Sequence, residues 1–239
     1  MRYFFTLLFT LCLVSVSTSS IAVSRYAEKF CQSPDYFCLK TRAGDNWEKL
    51  FPNDKARDIV MRVNRMNVPV RPGMTIAIPK HLNDLSIYDV SPFPRYIEPT
   101  MEKIIFVDQK ELAWGAYNSE GELVWWGPIS PGSGHCRSPD GTCLTPTGTF
   151  RVIRKQDIEC VSTVFPVRES GENGGAVMPY CMHFFRGYAL HGSTAVPGFR
   201  DSHGCVRMFI EDAKWLNEEF ITVPGAGGII GTRVIINAA

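Results

Sequence analysis

The sequence predicts an α+β chain in two parts, a small βααβ module followed by a larger, mainly-β domain. Three observations predict it. Between residues 36 and 80, two short β-type runs bracket two stretches with helical character. From Lys103 onward, β-branched and aromatic runs recur between turns such as Asn118-Ser119-Glu120-Gly121, the pattern of antiparallel hairpins. Near the end, Phe209, Ala213, Leu216 and Phe220 fall at helical spacing with charged residues between them.

With 239 residues the chain has room for one large or two small domains and for a buried core. Its net charge of +1 argues against a nucleic-acid partner or a strongly basic membrane-surface protein. Residues 1–22 read as a secretory signal, with Arg2 at a short basic start, an apolar run from Tyr3 to Val16, and small residues before an expected cut after Ala22. The run falls short of the ~20 residues needed to span a bilayer. Cys12 follows Leu11 rather than a small residue, which argues against lipidation.

In the module, residues 23–80, Phe37 to Lys40 is the expected first strand. Gly44-Asp45 is the turn and N-cap into a helix from Trp47 to Leu50. Ile59 to Met66 is the second helix, Arg71-Pro72-Gly73-Met74 a turn, and Thr75 to Ile78 the closing strand, stopped by Pro79. Residues 81–101 carry Pro92, Pro94 and Pro99 and read as a linker or strap. Residues 102–239 form the mainly-β domain, with strands expected at Lys103–Asp108, Leu112–Tyr117, Leu123–Trp126, Gly148–Lys155 and Thr232–Ile236, and a helix over Phe209–Phe220. Trp125-Trp126 should be core or cleft wall, because neighbouring strand residues point to opposite faces. Glu169–Gly175 reads as a mobile turn, His135 as a solvated loop residue, and His183 as a satisfied structural histidine.

Of 8 cysteines, Cys12 leaves with the signal. An odd number then remains, so an oxidising compartment leaves one thiol over. If that thiol is Cys205, Cys31 with Cys38, Cys136 with Cys143 and Cys160 with Cys181 are pairs suggested by proximity, although six cysteines allow 15 connectivities. No Cys-x-x-Cys or His-x-x-x-His spacing suggests a metal, and no cofactor is expected.

The chemistry gathers between His191 and Met208. His191-Gly192-Ser193 and Ser202-His203-Gly204-Cys205-Val206-Arg207 bring two imidazoles, a thiol and a guanidinium into what reads as one short loop. Either imidazole could take the Cys205 proton and pull the thiol's pKa down. Gly204 permits a tight turn that would aim the Gly204 and Cys205 amides at a developing oxyanion. A helix N-terminus near Cys205 would favour thiolate further. The alternative is a buried structural thiol beside two polar histidines.

These two segments resemble the signature of YkuD-type L,D-transpeptidases, which modify peptidoglycan through a cysteine thioester. The resemblance extends to Thr145-Pro146-Thr147-Gly148-Thr149-Phe150 and to Met178-Pro179-Tyr180 through Ala189-Leu190-His191. The 14 positions from His191 to Cys205 are fewer than in most members. Residues 36–80 resemble a LysM peptidoglycan-binding module. The resemblance implies Cys205 as nucleophile, His191 as base and the Gly192 carbonyl as the group orienting it. It also implies oxyanion or substrate contacts from Ser202, His203 and Gly204. Arg207 is a candidate grip for a stem carboxylate, or a structural ion pair. The implied partners are peptidoglycan stem peptides and glycan, with an envelope protein as a further possible acceptor and the periplasm as the address. A carboxypeptidase with the same donor chemistry and a non-catalytic wall-binding protein are the competing functions.

Overall fold

The computed structural model describes residues 26–134, 143–166 and 174–238. The signal segment, Cys12, His135, Cys136 and most of the Glu169–Gly175 turn lie outside them.

The βααβ order is present. β1 (Tyr36–Lys40) pairs antiparallel with β2 (Thr75–Pro79), Cys38 opposite Ala77. Between them lie α1 (Trp47–Leu50) and α2 (Asp54–Val63). The cap of α1 is Asn46 rather than Asp45. Its side chain accepts from the Lys49 N–H at 2.8 Å, while Asp45 is occupied with the Arg42 N–H at 2.7 Å. α2 starts five residues earlier than expected because Asn53 caps it, accepting from the Ala56 N–H at 2.9 Å. It stops at Val63, and Arg65 follows in the left-handed region with φ 53°. Asn64 ties helix to strand, giving its amide to the Val60 and Ala77 carbonyls and accepting the Ala77 N–H. The Cys31–Cys38 disulfide closes the loop leading into β1.

The second part is a nine-stranded sheet made of β3 (Ile104–Asp108), β4 (Ala113–Tyr117), β5 (Leu123–Ser130), β6 (Gly148–Arg151), β7 (Arg154–Lys155), β8 (Met182–Phe185), β9 (Tyr188–Gly192), β10 (Val206–Met208) and β11 (Arg233–Asn237). Their order is β6-β11-β3-β4-β5-β10-β9-β8-β7. Only β11 with β3 and β10 with β9 run parallel. The expected Gly148–Lys155 strand divides in two. The Val152 N–H bonds to Thr232 on one edge of the sheet and the next N–H, Ile153, to His183 near the other. The sheet therefore curls, and Phe150 meets Phe184 and Phe185 with ring centroids 5.4 and 5.3 Å apart.

Its concave side holds the main core, including Trp114, Met182, Leu190, Val206 and Met208. α3 (Ile210–Trp215) covers it and widens into a π turn over Leu216–Phe220, so the predicted helix exists but is not α-helical throughout. Trp125 and Trp126 do separate: Trp125 stacks on Trp215 at 5.4 Å, and Trp126 is fully buried among Leu123, Tyr117 and Ile104. The proline-containing segment is a strap, its Ile87 carbonyl accepting from Trp126 Nε1 at 2.7 Å and its Pro94 carbonyl from the Tyr117 hydroxyl at 2.8 Å. The module docks through Arg62, whose guanidinium grips Asp212 of α3 at 2.7 and 3.0 Å. Asn67 holds the loop after β9, donating to the Ser193 carbonyl at 2.7 Å and accepting from the Val196 N–H at 2.9 Å.

Candidate active site

The motif residues do not share one loop. His191 is on β9 and Arg207 on the parallel β10, directly paired, with Cys205 just before β10. Alternation along these strands sends Leu190, Val206 and Met208 into the core, leaving His191, Cys205 and Arg207 on the opposite face. There they line a cavity of about 950 Å³ together with Ser202, His203 and His183, a size suited to a peptide-sized ligand. Val161, Val164, Phe165 and Val177 form another wall. Their segment is anchored by the Cys160–Cys181 disulfide. Cys143 is also disulfide-bonded, and Cys205 is the free cysteine among the described residues.

The His191 ring is oriented by its own strand. Nδ1 lies 2.9 Å from the Gly192 carbonyl oxygen. A carbonyl only accepts, so Nδ1 carries the proton and Nε2 keeps a lone pair. Gly192 fits closely there, since a Cβ would stand 3.0 Å from the Ile210 Cα. Burial pushes the His191 pKa down to about 4, with Arg207 and His183 adding to the effect and the Gly192 bond opposing it.

Burial also raises the Cys205 thiol, against the pull of the Ala189 N–H and of Arg207. The sulfur lies 3.8 Å from the Gly187 carbonyl oxygen, to which the S–H donates. The resting pair is thus a neutral thiol and a neutral imidazole. The expected thiolate–imidazolium pair is corrected by desolvation, which penalises both charges.

The turn before the cysteine is built from hydroxyls. Gly204 adopts φ +113°, and a Cβ there would stand 2.6 Å from Tyr188. Its N–H donates to Ser202 Oγ at 3.0 Å, and the Ser202 hydroxyl donates to the Cys205 carbonyl. The Gly204 amide is therefore committed to the turn, contrary to the expectation that it faces an oxyanion. Thr145 Oγ1 donates to the Gly204 carbonyl at 2.7 Å and accepts from the Gly132 N–H at 2.8 Å. In the sequence Thr145 stands only as part of a motif, and no local signal marks this clamp. α3 begins against Gly192, and its first turn carries Glu211 and Asp212.

Arg207 is tied down, 3.0 Å from Asp201 and 3.3 Å from the Ala195 carbonyl. His203 packs on Phe165 with ring centroids 4.8 Å apart, its pKa lowered by burial and by Arg207. His183 contradicts its expected role. It is buried, its Nδ1 has no partner, and it lines the cavity. Strand alternation was the signal that could have found it, since His183 pairs with Ala189, two residues before His191. Among the described residues no group of three or more His, Cys, Asp or Glu is arranged to hold a metal.

Comparison with known proteins agrees with this architecture. Residues 102–236 match the family model of the YkuD L,D-transpeptidase catalytic domain. A curated relative, the probable L,D-transpeptidase ErfK/SrfK of Escherichia coli (strain K12), is 29% identical over 180 residues, which is 69% of this chain and 52% of that protein. The chain thus spans about half the length of that relative. Among solved structures, an L,D-transpeptidase from Xylanimonas cellulosilytica (residues 123-326) superposes with a TM-score of 0.50 at 23% identity, covering 70% of this chain and 73% of that one. An L,D-transpeptidase from Mycobacterium smegmatis gives a TM-score of 0.44 at 21% identity over 57% of this chain and 59% of its own. The curled β-sheet, the cavity on its outer face and a family match over more than half the chain lead to one assignment: the chain belongs to the YkuD family of L,D-transpeptidase catalytic domains.

Proposed function

We propose that the protein is a peptidoglycan L,D-transpeptidase in which Cys205 is the nucleophile, His191 the general base and the Gly192 carbonyl the group that fixes the base. The observation that carries the reading is the unpaired Cys205 thiol in the same cavity as a His191 ring whose Nδ1 is held by Gly192, leaving Nε2 as the proton acceptor.

Because thiol and imidazole are both neutral at rest, the proton leaves sulfur as the attack proceeds. The Cys205 sulfur bonds to the carbonyl carbon of the third residue of a tetrapeptide stem, and His191 Nε2 takes the thiol proton. The bond from that carbonyl to the terminal D-alanine nitrogen then breaks. The leaving amine recovers the proton and a thioester remains. An acceptor amine attacks the thioester, His191 removes its proton, and Cys205 departs as the thiol once more. A second stem's side-chain amine as acceptor gives a 3-3 cross-link, whereas water gives hydrolysis to a tripeptide.

Ser202 and Gly204 serve by holding the turn that presents Cys205, and His203 borders the bound substrate. The βααβ unit at residues 36–79 acts as a LysM-type glycan-binding module, a reading supported by its element order. The signal-like residues 1–22 and the disulfides support a periplasmic address. The domains follow as 23–80, a strap at 81–101, and the catalytic part at 102–239.

Mass spectrometry of muropeptides incubated with the purified protein tests the reading. Cross-linked or amine-exchanged products that disappear in Cys205→Ser are expected. Tripeptides alone would replace the transferase with a carboxypeptidase. An unmodified Cys205 under both carbapenem and iodoacetamide would favour a non-catalytic wall-binding protein.

A further inference from the structure

The pairing registers draw a straight row across four strands. Arg154 of β7 is opposite His183 of β8, and His183 is opposite Ala189 of β9. Just ahead of β10, Cys205 falls beside Ala189, one residue before the Val206–Leu190 pair. At ~4.8 Å per strand, the His183 backbone stands roughly 10 Å and the Arg154 backbone roughly 14 Å from Cys205. Arg154, His183 and Cys205 all line the cavity.

Two members of this row have unused hydrogen-bonding capacity. His183 is 5% exposed, and its Nδ1 has no hydrogen-bond partner. Leaving a buried polar atom unpaired is costly, and because His183 lines the cavity a turn of its ring lets a ligand atom there satisfy it. The Arg154 side chain is exposed and makes no hydrogen bond or ion pair with a described residue, yet it lies close enough to His183 for its charge to act on that ring. Arg207, the cation singled out from sequence, is already neutralised by Asp201. An anion entering the cavity therefore meets uncommitted donors on the β7–β8 side. Asp157 and Glu159 also line the cavity and disfavour a second anion near their own positions.

We propose that Arg154 and His183 form a carboxylate subsite that grips an acidic group of the donor stem peptide, about two to three strand widths from the nucleophile. The site rests on the donor reading proposed above. The guanidinium supplies two donors and the imidazole N–H a third. Occupation would give His183 the partner it lacks and lay the stem across β9, with its scissile carbonyl over Cys205.

The test uses a synthetic tetrapeptide ending in D-alanine, with its terminal carboxylate and its side-chain carboxylates amidated one at a time. Binding is measured in the Cys205→Ala protein, so that it does not depend on chemistry. Amidating one of these groups should weaken binding about 10- to 100-fold, and the peptide affected identifies which carboxylate is held. Arg154→Gln should bind acid and amide forms alike, Arg154→Lys should restore part of the difference, and His183→Asn should reduce it. Imidazole NMR should show the His183 ring nitrogens, but not those of His81, shifting on addition of the acid form. An acid-to-amide ratio that is unchanged in Arg154→Gln and His183→Asn would overturn the subsite. Discriminating binding without acylation of the Cys205 protein would keep the subsite and remove the transfer reaction instead.

Discussion

Two buried clusters on this molecule differ in how far their charges are paired. At the seam between α2 and α3, Arg62 and Asp212 are both within the interior, and each charged group finds its opposite. The guanidinium contacts Asp212, Asp58 and the Trp126 carbonyl, and Asp212 also accepts from Trp125 Nε1 at 3.0 Å. Burial alone would weaken the Arg62 charge, but Asp212 and Asp58 outweigh it and raise its pKa above the ordinary value. In the cavity, burial outweighs the neighbouring charges, Arg207 opposing it at Cys205 and adding to it at His191, so Cys205, His191 and His183 are driven towards their neutral forms. Partnered burial holds the fold together, and unpartnered burial stores reactive groups. Gly127 belongs to the first kind, since a Cβ there would stand 2.1 Å from Asp212 Oδ2 and 3.0 Å from Arg62 Nη1.

Substitutions should therefore separate activity from stability. The largest effect is expected in the cavity, where Cys205→Ser should slow acylation by roughly 10³-fold or more. His191→Gln should slow it by roughly 10²- to 10⁴-fold. In both, the unfolding midpoint should stay at or above that of the parent, because each removes an imperfectly matched buried group. A marked drop in midpoint would erase the contrast drawn between the clusters.

At the seam the order reverses. Arg62→Ala strands the Asp212 carboxylate and should cost about 3 to 5 kcal/mol in denaturant unfolding. An Arg62→Met, Asp212→Leu double variant should recover most of that. If the double variant is as unstable as the single, the pair's role lies in its hydrogen bonds rather than in avoiding a stranded charge.

The two clusters also differ in their response to pH. His191 and His183 ordinarily titrate near 6.5 but are pushed down to about 4 in the fold. The unfolded chain thus binds protons that the folded chain refuses between these values. Their contribution to stability is complete above pH 6.5 and is lost as pH falls towards 4, by up to about 1.4 kcal/mol per pH unit per imidazole. The acid limb of Cys205 alkylation should also fall near pH 4, and a limb near 6.5 would mean that burial does not depress the base. The smallest effect is expected for Asn67→Ala, which removes two bonds to the Ser193–Val196 loop at about 1 kcal/mol each. Its measure is the unfolding free energy.

Legibility followed the range of the interactions. The β1 and β2 runs, the Cys31–Cys38 bridge and the helix-spaced Phe209–Phe220 stretch were readable because their determinants lie within a few residues. The start of α2 differs from the expected Ile59 because Asn53, one polar residue, caps the helix ahead of the apolar pattern. The break at Val152-Ile153 was not readable, since the two N–H groups find partners at residues 232 and 183, on different sides of a curled sheet.

By itself the sequence determined which chemical groups are present, the order of the elements, and the Gly positions that let the chain turn before Cys205. Only the folded sheet decided that His191 and Cys205 share a face across parallel strands, that Ser202 takes the Gly204 amide, that Asp201 takes Arg207, and that His183 looks into the cavity. The reason is physical: a side chain's protonation and availability depend on what desolvates it and what pairs with it, and those neighbours are brought together by strand register rather than by closeness along the chain.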